Sequence, residues 1–350
     1  RISINIFLVI LLSWFFVACL FLNSASASPE EDADKLKNLF STGQKFLQSG
    51  QYDKAIKNFR QVLTLSRKLG KEDGIALSLN GIGQAYLYRG QYDKAIENFQ
   101  EALAIARRYG EEEAIALFLN SIGQAYSIRG QYDKAIENFQ QALTIARRLG
   151  SEDGIILFLL SLGSVYHSLD QYDKAMENFQ QALAIARRLG KEFDIILSLL
   201  SVGSVYDNRG QFDKAMENYQ QALAIARSVE KEDVIAFSLK NIGSVYSSWG
   251  QYDKAIENLQ QALTISRKLG KEEDIATDIK DIGTVYDYWG KYGKAIENYQ
   301  QALTLFRKLG KEDGVASSLQ SIGWVYVSWG QYDKAIENFQ QALTLYRKLG

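Results

Sequence analysis

Cysteine and histidine are almost missing from this sequence of 350 residues, which contains one of each, Cys19 and His167. A zinc site built from these ligands needs several of them, so a single chain cannot assemble one. A disulfide needs two cysteines, so none forms within the chain. A Ser–His–Asp triad would have to use His167, and the residues around it do not resemble a nucleophile elbow. We therefore expect no catalytic residues, no metal and no cofactor.

An excess of charge of either sign is also missing. The 40 Lys and Arg residues against 41 Asp and Glu residues give a formal net charge of −1. Nucleic-acid binding depends on basic surfaces that neutralise phosphates. The overall charge gives no reason to expect nucleic acid as a partner, and the 47% hydrophobic and 23% charged residues are ordinary for a globular protein.

The first 27 residues have the organisation of a secretory signal peptide. Arg1 precedes an apolar run over residues 2–22, and Ala25-Ser26-Ala27 is an A-x-A cleavage step. We predict cleavage after Ala27, a linker at residues 28–33, and an exported (secreted or periplasmic) protein. An uncleaved membrane anchor is the first alternative, because the run is nearly long enough to span a bilayer. Lipid attachment at Cys19 is the second.

Residues 31–350 are eight consecutive repeats of 40 residues without an insertion or deletion. Such periodicity indicates a solenoid whose repeats pack only on their neighbours. The repeats are 31–70, 71–110, 111–150, 151–190, 191–230, 231–270, 271–310 and 311–350.

Each repeat is predicted to form two helices, A and B, with no strand signal. In the second repeat, Asp73 is a candidate cap for helix A, and Gly90 is expected to end it. Helix B is expected to end at Gly110 after a basic pair that suits the helix dipole. The apolar positions with helical spacing are Leu79, Ile82, Gly83 and Tyr86 in helix A, and Tyr92, Ala95, Ile96, Phe99, Ala102, Leu103 and Ala106 in helix B.

The spacing Leu79-x2-Ile82-Gly83-x2-Tyr86, followed by Ala95-x3-Phe99-x2-Ala102, resembles the tetratricopeptide repeat (TPR) pattern. The resemblance implies an all-α fold, a right-handed α-solenoid of helix-turn-helix units over residues 34–350. Every repeat has Gly at the position of Gly83 and Ala at the position of Ala95. We expect helices A and B to approach closely at these small residues, with aromatic side chains filling the space around them.

The period exceeds the usual 34 residues by six, which we place between helix B and the next helix A. Helix B is therefore expected to be longer, followed by a turn of the form Arg-Arg-x-Gly-Lys-Glu-Asp. This 40-residue variant is similar to the repeats of Pins/LGN polarity scaffolds and of kinesin light chains. Those families bind peptides or other proteins, so the resemblance implies a protein or peptide partner.

In TPR arrays the A helices line a concave groove, and the corresponding positions vary here while the helix B segment is nearly copied. Amides are candidates to bind a peptide backbone, since each offers a donor and an acceptor. Leucines would either anchor an apolar side chain or be buried between helices. The lysines would pair with a partner's carboxylate, a partial match to the clamp of some TPR co-chaperones, and the tryptophan is an aromatic hot-spot candidate. The candidates are Asn80, Gln84, Asn120, Gln124, Leu160, Leu200, Lys240, Lys280 and Trp324.

Other features have structural interpretations. Trp249, Trp289 and Trp329 precede the glycine after helix A, and we expect them to pack between repeats. The basic pair that ends helix B in seven of the eight repeats, such as Arg107-Arg108, is interpreted as dipole and turn electrostatics. His167 is expected to be a polar lining residue.

These features predict a non-catalytic protein-interaction scaffold, with the membrane involved only through the N-terminal segment. The first alternative is the recognition arm of a larger enzyme, because similar TPR arrays often precede a caspase-like (CHAT) protease domain and the sequence stops at a repeat boundary without a polar capping helix. The second is a self-assembling array, a homo-oligomer formed through an uncapped end.

Overall fold

The computed structural model describes residues 30–349. The predicted leader at residues 1–27 lies outside this range, so cleavage, anchoring and export stay predictions. The first helix begins at Glu30, so the prediction of a linker is wrong for residues 30–33, which are helical. Within residues 30–349, no helix combines the length and the apolar character needed to cross a membrane.

The described chain consists of sixteen α-helices and contains no strand. Odd-numbered helices are the A helices and even-numbered helices are the B helices. Their bounds are α1 Glu30–Gln48, α2 Tyr52–Leu69, α3 Glu72–Tyr88, α4 Tyr92–Tyr109, α5 Glu112–Ile128, α6 Tyr132–Leu149, α7 Glu152–Ser168, α8 Tyr172–Leu189, α9 Glu192–Asn208, α10 Phe212–Ser228, α11 Glu232–Ser248, α12 Tyr252–Lys268, α13 Glu272–Tyr288, α14 Tyr292–Leu309, α15 Glu312–Ser328 and α16 Tyr332–Leu349.

The chain forms two compact modules, the first ending at Ser201 and the second starting at Val202. In the first module, each of the helices α1 to α7 packs on the next one, and the A helices α1, α3 and α5 also touch the next A helix. In the second module, consecutive helices from α10 to α16 pack in the same way. The all-α fold of repeated helix pairs, a helical-repeat solenoid, is confirmed.

Glycine with a left-handed φ follows six of the described B helices, as predicted, whereas Glu230 takes this position after α10. The turn is shorter than expected. Gly110 adopts a left-handed φ of 69°, and the next residue, Glu111, donates its N–H to Ala106 O at 3.0 Å. Only these two residues separate α4 from α5, so the predicted seven-residue turn was wrong. The longer helix B is confirmed, since α4 has 18 residues and includes the basic pair, and the acidic residues placed in the turn begin α5. The predicted Asp73 cap was also wrong. Asp73 lies inside the first turn of α3, where a carboxylate favours the helix dipole.

The close approach of helices A and B at the repeated glycine is confirmed. A Cβ added to Gly83 would lie 2.6 Å from Phe99 Cε1, and one added to Gly203 would lie 2.6 Å from Tyr219 Cε1. Atoms at that separation overlap, so a hydrogen is the largest group this position accepts. Phe99 and Tyr219 are themselves buried, which makes the A–B contact part of the core of each module.

Two contacts within the repeats involve charged residues that are copied from repeat to repeat. In the second repeat, Lys94 Nζ lies 5.5 Å from the centre of the Tyr86 ring, a cation–π contact. The equivalent pairs are Lys134–Tyr126, Lys174–Tyr166, Lys214–Tyr206, Lys254–Tyr246, Lys294–Tyr286 and Lys334–Tyr326. In addition, Arg148 at the end of α6 pairs with Glu112 at the start of α5, 2.8 Å apart. Several of the basic pairs ending the B helices are thus neutralised within their own repeat.

The tryptophans that precede the turn glycines pack between repeats, as predicted. The Trp289 ring lies 5.7 Å from the ring of Tyr252, the first residue of the preceding B helix. Trp249 contacts Phe212 at 6.1 Å, and Trp329 contacts Tyr292 at 6.0 Å, in the same relation.

Candidate functional site

The candidate residues lie on the A helices, where one A helix contacts the A helix of the next repeat. We call this surface the A-helix wall and describe it separately in each module. Its first-module part comprises Asn80, Gln84, Asn120, Gln124, Leu160 and Leu200. Its second-module part comprises Lys240, Asp281, Lys280, Thr284, Gln320 and Trp324.

The amides of the first-module wall are buried. Asn120 has no exposed surface, and Ser161 Oγ of the next A helix donates a hydrogen bond to its Oδ1 at 3.1 Å. Asn80, Gln84 and Gln124 each expose 6% or less. Within the described residues, Asn80 Oδ1, Gln84 Oε1, Asn120 Nδ2 and Gln124 Nε2 make no hydrogen bond. Unpaired buried polar atoms are unusual in folded proteins. Because these amides are buried, they offer a partner little surface in this conformation. Peptide binding by them stays a prediction.

The leucines of the first-module wall are core residues. Leu160 and Leu200 expose 1% and 2% of their surface. Burial between helices was the second of the two interpretations that the sequence left open for them. A partner would therefore find no exposed side chain at either position in this conformation.

Lys240 of the second-module wall is already paired inside the protein. Its Nζ lies 2.9 Å from Asp278 Oδ1 and 3.6 Å from Asp281 Oδ2, both on the next A helix, α13. Burial lowers the pKa of the Lys240 ammonium, but the charges of Asp281 and Asp278 outweigh it, so the pKa is raised. We expected Lys240 to pair with a carboxylate of a partner. This geometry does not support that expectation, since the Lys240 ammonium already pairs with two carboxylates of its own chain.

The carboxylates around Lys240 were missed in the sequence. Asp278 is fully buried, and Ser266 Oγ of α12 donates a hydrogen bond to its Oδ2 at 2.6 Å. Partial burial raises the pKa of Asp281, and the charges of Lys240 and Lys280 only partly offset this. The signal was present, because the other repeats have Asn, Ser or Phe where this one has Asp278.

Lys280 and Trp324 differ in accessibility. Lys280 Nζ donates a hydrogen bond to Ser317 Oγ at 3.1 Å, across to α15. The Trp324 side chain is 57% exposed, and its ring meets the Phe339 ring edge-on with 5.2 Å between centroids. Trp324 is thus a large apolar side chain that is fixed on one side and open to solvent on the other. Of the nine candidates, it is the one that offers a partner the most apolar surface.

Two other predictions concern metals and oligomers. No group of three or more potential metal ligands occurs among the described residues. Helix α16 exposes the apolar side chains of Ile336 and Leu343, at 53% and 48%, whereas the equivalent Ile296 and Leu303 are buried. Homo-oligomerisation stays a prediction.

Comparisons with known proteins agree with the repeat pattern. The MalT-like TPR region model matches residues 154–283. No curated protein sequence matches the chain significantly.

Several solved structures are similar to the chain in fold. The Rap conjugation gene regulator of the plasmid pLS20, in complex with the Phr* peptide, has a TM-score of 0.61 at 17% identity, over 90% of this chain and 95% of that chain. Aspartyl phosphate phosphatase F from Bacillus subtilis has a TM-score of 0.59 at 15% identity, over 92% and 96%. BtubC (BKLC) from P. vanneervenii has a TM-score of 0.54 at 20% identity, over 62% and 92%. At such identities the likeness concerns the fold alone.

The family itself follows from the sequence. The tetratricopeptide repeat model matches residues 43–108, 113–188 and 275–348, which is more than half of the chain. These matches extend over repeats in both modules, and each matched region contains the Gly–aromatic contact between helices A and B. The chain therefore belongs to the tetratricopeptide repeat family.

Proposed function

We propose that this protein is a non-catalytic interaction scaffold that holds a segment of another protein against the second-module part of the A-helix wall. The observation that carries the proposal is the exposure of Trp324, a 57% exposed aromatic side chain at a wall position. Buried aromatic anchors dominate the binding energy of many protein interfaces. Burying the free face of Trp324 under a partner's apolar side chain supplies such an anchor.

The surroundings of Trp324 add polar recognition. Gln320 lies one turn earlier on α15, where its Oε1 accepts a hydrogen bond from Tyr346 Oη at 3.1 Å. Asp281, with a 37% exposed side chain, and the Lys280 ammonium belong to the neighbouring α13. A segment with an apolar anchor residue and polar or charged flanks fits this combination.

The family and the fold support the same conclusion. The Rap regulator of similar fold was solved with a peptide bound, which shows that a helical repeat array of this kind accepts a peptide in that protein. A stiff repeat array orders little of itself on binding, so most of the entropic cost falls on the partner segment. The scarcity of His and Cys residues also agrees with a role without catalysis.

Site-specific photocrosslinking tests the proposal in the producing cell. A benzoylphenylalanine at position 324 is expected to crosslink to one recurring segment of a partner, identified by mass spectrometry. The same amino acid at position 249 is the matched control, because Trp249 is also exposed, at 41%, but packs on Phe212 between repeats. When the crosslinker is placed at position 320 instead, Trp324→Ala is expected to abolish the captured complex. Equal capture from positions 324 and 249, or capture unchanged by Trp324→Ala with a crosslinker at position 320, contradicts the proposal.

We also propose that residues 1–27 direct the chain across a membrane, on the basis of the apolar run and the A-x-A step alone. N-terminal sequencing of the protein recovered from the producing cell tests this. A mature chain beginning at Ser28 supports cleavage, an intact membrane-bound chain supports the anchor, and an intact chain in the cytoplasm contradicts export.

A further inference from the structure

The first module contains a recess that the wall and the proposed function do not include. It has a volume of about 760 Å³ and runs along the exposed face of α2, between residues of α1 and the end of α3. We call it the basic recess. Its lining residues are Lys35, Leu39, Asp53, Ile56, Lys57, Arg60, Gln61, Thr64, Leu65, Lys68, Tyr86 and Arg89.

The charge of the basic recess is strongly positive. Five of its side chains are cationic and one, Asp53, is a carboxylate, which gives a net charge of +4. That single carboxylate is already paired with Arg89. Among the side chains that the structure describes, no carboxylate pairs with Lys35, Lys57 or Lys68. The recess therefore concentrates positive charge that the described part of the chain does not neutralise.

Two of these cations are departures from an otherwise copied segment. The other seven repeats all have Glu where the first has Lys57, and all have Gln where it has Arg60. The two replacements raise the local charge by three relative to every other repeat. They lie three residues apart on α2 and so share one face of the helix. The fold does not require Lys57 and Arg60, because the seven repeats with Glu and Gln at these positions form the same helix pair.

The floor of the recess is apolar and ordered. Ile56 is 6% exposed, and Leu39 and Leu65 are partly buried beside it. Arg60 donates a hydrogen bond to Tyr86 Oη at 2.9 Å, which fixes the guanidinium against the end of α3. A ligand that fits must therefore offer negative groups at its edges and apolar groups at its centre.

We propose that the basic recess binds an acidic polypeptide segment that also carries apolar side chains. Eleven residues of helix separate Lys57 from Lys68, a length of about 16 Å, which matches about five residues of extended chain. A short segment is favoured over a long polyanion or a flat bilayer surface. The adjacent α4 presents the Glu97 carboxylate on its exposed face, which repels extended negative surfaces, whereas Glu101 is paired with Arg67.

The binding test uses a fluorescent seven-residue peptide of sequence Glu-Glu-Leu-Glu-Glu-Leu-Glu and the full-length chain. Fluorescence anisotropy is expected to show binding that weakens as salt rises. Lys57→Glu with Arg60→Gln restores the residues of the other repeats, so the fold is retained, and it is expected to lower the affinity at least about tenfold. The matched control is Lys37→Glu with Lys45→Gln, which makes the same change of charge on α1 outside the recess and is expected to bind normally.

Further measurements define what overturns the proposal. A peptide with serine in place of both leucines is expected to bind more weakly, since the apolar floor then has no partner. Equal losses in the recess variant and the control variant show general electrostatics only and refute the recess. Tighter binding of duplex DNA or of phosphatidylserine vesicles than of the peptide refutes the acidic polypeptide. Trp324→Ala is expected to leave peptide binding unchanged, which separates this surface from the A-helix wall.

Discussion

Lys240 and Asp278 form an ion pair across two neighbouring A helices, with Nζ and Oδ1 2.9 Å apart, and the Asp278 side chain has no exposed surface. The residues are 38 positions apart in sequence. Ser266 completes the arrangement by donating to the second carboxylate oxygen at 2.6 Å. Removing one partner of such a buried ion pair destabilises the fold, because the other charge is left buried without a partner. Replacing both partners with uncharged residues costs little, because the desolvation of the two charges offsets much of their attraction.

Removing only the carboxylate is expected to destabilise the second module. Asp278→Ala leaves the partly buried Lys240 ammonium with the more distant Asp281 and leaves the Ser266 hydroxyl without its acceptor. We expect a loss of about 1–3 kcal/mol in the free energy of unfolding, measured by urea denaturation.

The matched control replaces the whole arrangement. Lys240→Leu, Ser266→Ala and Asp278→Ser together reproduce Leu160, Ala186 and Ser198, which occupy the equivalent positions two repeats earlier. This triple variant is expected to stay within about 1 kcal/mol of the unaltered chain. A triple variant as unstable as Asp278→Ala would contradict the assignment of the cost to an unpaired charge.

A methyl group at the A–B contact is expected to destabilise the second repeat. Gly83→Ala places a Cβ 2.6 Å from Phe99 Cε1, and the overpacking is expected to cost about 1–3 kcal/mol in thermal or urea unfolding. Phe99→Leu is expected to relieve it, since Leu259 already faces Gly243 in another repeat. The double variant should lose less than the sum of the two single variants, and strict additivity would argue against the contact.

Replacing Gly293 is expected to increase the stability of the protein. It lies in the first turn of α14, and a Cβ there would meet nothing within 4 Å. The other seven repeats have Asp at this position. Gly293→Asp is expected to stabilise the chain by about 0.5–1 kcal/mol, because helix propensity and the dipole both favour it. Gly293→Ala separates the two effects. A melting temperature lowered by both variants would contradict the prediction.

Asp287 is expected to make stability depend on pH. Burial raises the pKa of this carboxyl near the end of α13. A raised folded-state pKa contributes stability that is complete below the unfolded pKa of about 3.9 and is lost as the pH rises through the folded value. Asp287→Asn should therefore be more stable than the unaltered chain at pH 7, by no more than about 0.5 kcal/mol, and equal to it near pH 3.5. A difference that is the same at both pH values would show that charge is not the cause.

The sequence predicted the helix pair and its main contact because both are local and repeated. Gly83 and Phe99 lie 16 residues apart, and every repeat has a Gly opposite an aromatic or, at Leu259, an aliphatic residue. The errors were also local. The predicted cap at Asp73 and the seven-residue turn assumed that polar and charged residues mark a loop, whereas here they form the first turn of the next A helix.

The accessibility of the wall was decided by the tertiary structure. Asn120 and Trp324 both occupy wall positions, yet one is fully buried and the other is 57% exposed. The exposure of an A-helix side chain depends on the residues that the neighbouring repeats bring against it, such as Ser161 beside Asn120. Periodicity within one repeat carries no information about those contacts. The sequence by itself thus determined the repeat, its helices and its family, and only the packing between repeats decided which wall residues a partner can reach.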